Sequence, residues 1–106
     1  MFARNVAMQL KPDAADEFGR VIEMEILPLL RKWDGFADEL TLLDGDRNRV
    51  VAISLWDSED NADAYSRDGY AEVLKRLAQV VEGTPVVRTY EVSNSTFHKI
   101  PGLALT

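Results

Sequence analysis

Residues Val50–Leu77, VVAISLWDSEDNADAYSRDGYAEVLKRL, carry three structural signals in one stretch. β-Branched and apolar residues run up to Trp56 and predict a buried strand, because such side chains fit a pleated surface. Asp57 or Ser58 then offers an oxygen to the free N–H groups of a helix start. Glu59 and Asp60 follow in the first turn, where the helix dipole favours anions. Asp68-Gly69 breaks the helix, and Tyr70 to Val81 resumes it with Val73, Leu74, Leu77, Val80 and Val81 as the buried set. A strand leading directly into a helix is half of an α+β unit, and the rest of the chain supplies its partners.

Upstream, residues 2–10 alternate as a first strand. Phe2, Arg4, Val6, Met8 and Leu10 lie on one face, and Ala3, Asn5, Ala7 and Gln9 on the other. Lys11-Pro12-Asp13 ends the strand, with Asp13 expected to cap a helix running to about Trp33. Phe18, Val21, Ile22, Ile26, Leu29 and Leu30 recur at helical spacing along it. Pro28 removes one backbone hydrogen bond there, so the last turn is expected to kink or shorten. Gly35 closes this unit. Phe36 to Leu43 reads as a second strand, and Asp44-Gly45-Asp46 signals a hairpin into the third strand, Arg49 to Trp56. Glu82-Gly83-Thr84-Pro85 reads as a helix stop, Val86 to Val92 as the fourth strand, and the remainder as an extended tail.

The resulting order is βαββαβ, a ferredoxin-like α+β fold with a four-stranded antiparallel sheet and both helices on one face. Neighbours such as Leu42/Leu43 and Val50/Val51 cannot share a face of a strand, so both sheet faces are apolar. With no residues left for a second layer, a second copy of the chain is the economical cover, as a two-fold dimer.

Length and charge narrow the classes. A chain of 106 residues makes one domain. Residues 1–93 form the domain by this reading, and 94–106 a tail whose Ile100, Leu103 and Leu105 suggest docking on the dimer partner. No apolar run reaches the roughly 18 residues of a membrane span, and no signal-like N-terminus is present, so a cytoplasmic location is expected. Cysteine is absent, which removes thiolate chemistry. With 18 acidic against 12 basic side chains the net charge is −6, opposing nucleic-acid binding. Asp44/Asp46 and Asp57/Glu59/Asp60 are explained by a turn and a helix start, and no metal site is expected. No glycine-rich phosphate loop and no nucleophile elbow occurs.

The passage Ile53-Ser54-Leu55-Trp56-Asp57-Ser58-Glu59-Asp60, the following Tyr65, the Asp68-Gly69-Tyr70 break and Asn5 in the first strand resemble the dimeric α+β barrel proteins, specifically the antibiotic-biosynthesis-monooxygenase-like group. The resemblance covers residues 2–93. It implies a homodimeric barrel. Some members of the group are cofactor-independent oxygenases of polycyclic aromatics, and some degrade haem. The haem-degrading pattern pairs a first-strand asparagine, matched by Asn5, with a histidine near Leu74 or Lys75. This chain has no histidine there, so no cofactor is expected.

The resemblance to the quinone-forming oxygenases implies a site made of Asn5, Trp56, Tyr65 and Arg88, with Tyr70, Tyr90 and His98 as further pocket candidates. Asn5 would orient a substrate oxygen in a cavity between sheet and helices, and Trp56 and Tyr65 would shape it. Arg88 or Tyr90 would stabilise an enolate or phenolate that reacts with oxygen. Each residue has a plainer reading. Asn5 can satisfy a loop backbone, Trp56 can anchor the core with its N–H on a backbone acceptor, and His98 can lie exposed in the tail. The functional expectation is a small cofactor-independent monooxygenase-like protein acting on an aromatic or polyketide-like compound. The alternative is a non-catalytic dimeric small-molecule-binding or stress-associated protein of the same fold.

Overall fold

The computed structural model describes residues 1–100. Its strands are β1 (Phe2–Leu10), β2 (Phe36–Leu43), β3 (Arg49–Trp56) and β4 (Val81–Glu91). They form one antiparallel sheet in the order β2-β3-β1-β4, the expected ferredoxin-like topology. The helical layer comprises α1 (Ala15–Val21), a π-helical turn (Ile22–Ile26) and α2 (Leu27–Leu30), then α3 (Glu59–Asp68) and α4 (Tyr70–Leu77). Among the described residues no helix is long and apolar enough to cross a membrane.

Local chemistry accounts for most boundaries. Ser58 is the cap of α3, its Oγ accepting from the Asn61 N–H at 3.2 Å. Gly69 separates α3 from α4 and lies against Trp33, whose indole atoms would stand 2.5–2.8 Å from any Cβ placed there. The expected cap at Asp13 is not found. Asp13 takes φ 58°, and Ala14 precedes the helix with no side-chain cap. The first helix ends at Leu30, short of Trp33. Pro28 is accommodated by the π turn just before it, where the Leu27 N–H reaches back to the Ile22 carbonyl. A wider turn relieves the clash between the proline ring and the preceding carbonyls.

The fourth strand also departs from expectation. α4 stops at Leu77, and β4 starts at Val81, running through the supposed stop at Glu82–Pro85. A register shift opposite Ala7–Gln9 marks a bulge, and Gly83 beside it takes φ 68°. The bulge lets pairing with β1 continue on both sides. Pro85 is tolerated because β4 is an edge strand.

The core lies between sheet and helices. Val6, Met8, Leu10, Val50 and Trp56 from the strands meet Phe18, Val21, Ile22, Ile26, Leu30, Tyr65, Val73 and Leu77 from the helices. The opposite, outer face of the sheet carries Leu40 (55% exposed), Leu42 (49%), Val86 (57%) and Tyr90 (50%). The tail leaves the edge strand, and the His98 ring hydrogen-bonds the Asp38 carboxylate of β2 within the same chain. Leu103 and Leu105 lie outside the described residues.

Candidate functional site

The pleat of β1 decides what faces the helices. Arg4, Val6 and Met8 point inward with Ala52 and Ser54 of β3 and Glu39 of β2, and these six line a pocket. Its helical wall is Ile22, Ile26, Leu30, Tyr65, Tyr70, Val73 and Leu77. The π turn carries two of those wall residues, Ile22 and Ile26, into position. Free space within the pocket is about 40 Å³. A water needs about 10–15 Å³ of such space, so the cavity in this state holds a few waters. A bulky ligand requires it to widen.

One row of residues crosses the pocket floor. Arg4 pairs with Ser54, and Ser54 pairs with Glu39, in the strand register. With strands about 4.8 Å apart, the backbones of Arg4 and Glu39 are separated by about 10 Å. Arg4 is only 3% exposed, yet no carboxylate among the described residues pairs with it. Its guanidinium carbon lies 4.4 Å from the Tyr70 ring centroid and 5.0 Å from that of Tyr65. These cation–π contacts offset part of the cost of burying the charge. Arg4 Nε and the Tyr70 hydroxyl remain buried without hydrogen-bond partners. A buried, unpaired cation in an apolar wall is costly, which makes this the most unusual feature of the chain.

The neighbours tune the site. Trp56 is fully buried, stacks on Tyr65 at 4.8 Å and meets Phe36 edge-on at 5.6 Å. Its Nε1–H donates to Ser54 Oγ at 2.9 Å, so its acceptor is a side chain and not the expected backbone carbonyl. That bond uses an acceptor lone pair of Ser54 and leaves the serine's own proton free to be donated. Burial pushes the Glu39 carboxyl above its ordinary value, and the Thr41 hydroxyl, donating at 2.7 and 2.9 Å, opposes the shift. Burial likewise raises the Tyr65 and Tyr70 phenols, with the Arg4 charge opposing.

The expected site residues divide between two faces. Tyr65 and Tyr70 line the pocket, with Trp56 stacked directly behind Tyr65. Asn5 does not enter it. Asn5 and Arg88 are register partners in β1 and β4 on the outer face, and Tyr90, opposite Ala3, lies there too. The inward set is the larger apolar one, Phe2, Val6, Met8 and Leu10, and it carries Arg4 with it. His98 is held by Asp38 and contributes nothing to the pocket wall. Arg4, Ser54 and Glu39 were absent from the expected site. The available signal was a lone arginine on the most apolar face of the first strand.

The antibiotic biosynthesis monooxygenase family model matches residues 1–77, more than half of the chain. The chain belongs to this family. Its structure is similar to that of NE2512, a protein of unknown function from Nitrosomonas europaea, with a TM-score of 0.74 and 17% identity over 92% of this chain and 94% of the other. It is also similar to SnoaB, described as a cofactor-independent oxygenase from Streptomyces nogalater, with a TM-score of 0.71 and 17% identity over 92% and 97%. At this identity the likeness concerns the fold. Among curated sequences, an uncharacterized Mycobacterium tuberculosis protein, Rv2557, is 26% identical over 93 residues, 88% of this chain. The chain spans 41% of that relative's length.

Proposed function

We propose that this chain is a small cofactor-independent monooxygenase-type protein acting on an aromatic small molecule bound between sheet and helices. One observation carries the reading: an unpaired, buried guanidinium faces an apolar pocket beside two tyrosine rings. Such a group stabilises negative charge on a phenolate or enolate oxygen, and that charge makes the adjacent carbon reactive toward oxygen. Arg4 takes the role expected of Arg88 or Tyr90, and Tyr65 backed by Trp56 shapes the aromatic wall. Family membership and the SnoaB-like fold support the reaction class. A homodimer closed over the apolar outer face belongs to the same proposal, and so does a cytoplasmic location. In that dimer Asn5 and Arg88 sit at the covered face and position the second sheet.

The test is oxygen uptake by the purified protein with a panel of phenols and hydroxylated polycyclics, run beside thermal-shift binding. Uptake with at least one compound, abolished in Arg4→Met, supports the reading. A second reading, a non-catalytic small-molecule-binding protein, is favoured by the pocket's small free space of about 40 Å³. Saturable binding across the panel with no oxygen consumed would decide for it.

A further inference from the structure

Four hydrogen-bonding groups on this pocket have unused capacity, and their signs are ordered. Arg4 Nε and the Tyr70 hydroxyl are buried and unpartnered. Ser54 Oγ accepts from Trp56 and retains its own proton. Arg4 and Tyr70 lie together, the guanidinium carbon 4.4 Å from the ring, where Arg4 is 3% exposed, and Ser54 is Arg4's neighbour in the row. Glu39 lies two strands away on the same row, toward the open edge of the sheet at β2. Ser54 stands between them in that row, and the lining around the row is apolar: Val6, Ala52, Ile26 and Leu30. A guanidinium flanked by hydroxyl donors matches a carboxylate, which can accept two parallel N–H bonds in the guanidinium plane. The apolar lining beside that row matches an aromatic ring. A carboxylate acceptor at the far end matches a ligand hydroxyl.

We propose that the pocket selects a small, single-ring aromatic carboxylate, its carboxylate on Arg4, Tyr70 and Ser54 and a ring hydroxyl on Glu39. This names the ligand class of the pocket; it rests on reading the pocket as a substrate site, but puts Arg4 on a carboxylate in place of a phenolate or enolate oxygen. The ligand's charge neutralises a buried cation that has no carboxylate partner among the described residues. It also occupies both orphaned atoms, so binding recovers the desolvation that folding leaves uncompensated. A single ring demands the least widening of the cavity. Larger polycyclic compounds lack room unless the helices separate, and a neutral ring leaves Arg4 unpaired.

The experiment is calorimetric titration of the full chain at neutral pH with benzoate, benzamide and para-hydroxybenzoate. Benzamide has the shape of benzoate without its charge. Benzoate is expected to bind about ten- to hundredfold tighter than benzamide, the range for a hydrogen-bonded charged group. Para-hydroxybenzoate is expected to bind tighter still, and Glu39→Gln removes much of that increment. Arg4→Met is expected to bring benzoate and benzamide to equal affinity, while Arg4→Lys keeps part of the difference. The Arg4→Met melting curve verifies folding, and the wild-type comparison stands without it. Equal wild-type affinities, a carboxylate preference that survives Arg4→Met, or no binding of any of the three overturns the assignment. Binding of the carboxylates with no oxygen uptake sinks the oxygenase reading and leaves this one standing. Oxygen uptake with neutral polycyclics alone does the reverse.

Discussion

Replacing Arg4 with methionine separates a functional charge from a structural one. A residue kept for binding is expected to cost the apo protein stability, whereas a structural strut is expected to supply it. Three contributions can be set against one another. The orphaned Nε costs about 1–3 kcal/mol as a buried unsatisfied donor. That penalty is part of the cost of desolvating the uncompensated cation, several kcal/mol in all. Against these stand two cation–π contacts, at 4.4 and 5.0 Å, worth roughly 1–2 kcal/mol each where water is excluded. Methionine matches the arginine stem from Cβ to the Nε position and regains on the order of 0.5 kcal/mol per ring through its sulfur.

The balance favours the variant by about 1–3 kcal/mol. For a chain of 106 residues that corresponds to a rise in melting temperature of roughly 4–12 °C. Thermal and urea melts followed by circular dichroism measure it, with an unchanged urea slope showing that the folded state stays compact. The same sample must lose its preference for anionic ligands. A drop in stability of about 2 kcal/mol or more, at constant slope, would show that the charge stabilises the apo protein. Arg4 would then be holding Tyr65 and Tyr70 in place for the fold itself.

Other perturbations probe separate parts of the structure. Gly69→Ala puts a Cβ within 2.5–2.8 Å of the Trp33 indole and is expected to cost about 1–3 kcal/mol. Adding Trp33→Leu should recover part of that loss in a denaturation cycle, and independent effects of the two changes would contradict the clash. Glu39 has a folded-state pKa raised by burial, so its contribution to stability is complete below its unfolded pKa and is lost as pH rises through the folded one. Glu39→Gln should therefore melt higher than the wild type near neutrality, with the gap closing in acid; a gap that does not vary with pH would count against burial as the cause. Leu42→Asp puts a charge on the apolar outer face, where Leu42 is 49% exposed. Light scattering should show the proposed dimer in the wild type and a monomer with intact secondary structure in the variant, and a wild type that is already monomeric ends the barrel proposal.

Much of this architecture follows from short-range chemistry and was legible along the chain. Ser58 caps a helix because its own oxygen reaches the Asn61 N–H, three residues on. Asp68-Gly69 breaks the helix at the expected step, and the second and third strands have the expected bounds. Alternation in residues 2–10 correctly sorted the first strand into two sets, one with Arg4 and one with Asn5. Such facts depend on neighbours a few residues apart, which the sequence displays directly.

What the sequence by itself could not decide was which set turns inward, where a strand begins when its pairing is remote, and which side chains from three strands share one row. The period of a strand is two, so its two faces are equally periodic, and only packing against Ile22, Ile26 and Tyr65 makes the Arg4 face the inner one. Val81 starts β4 because Leu10 stands opposite it across a bulge, a partner far away in sequence. Arg4, Ser54 and Glu39 come to share one row through the register of β1, β3 and β2 alone. Sequence supplied the elements and their order. Tertiary structure chose the face, which brings Arg4 to the pocket with Tyr65 and Tyr70 and leaves Asn5 and Arg88 on the outer side of the sheet.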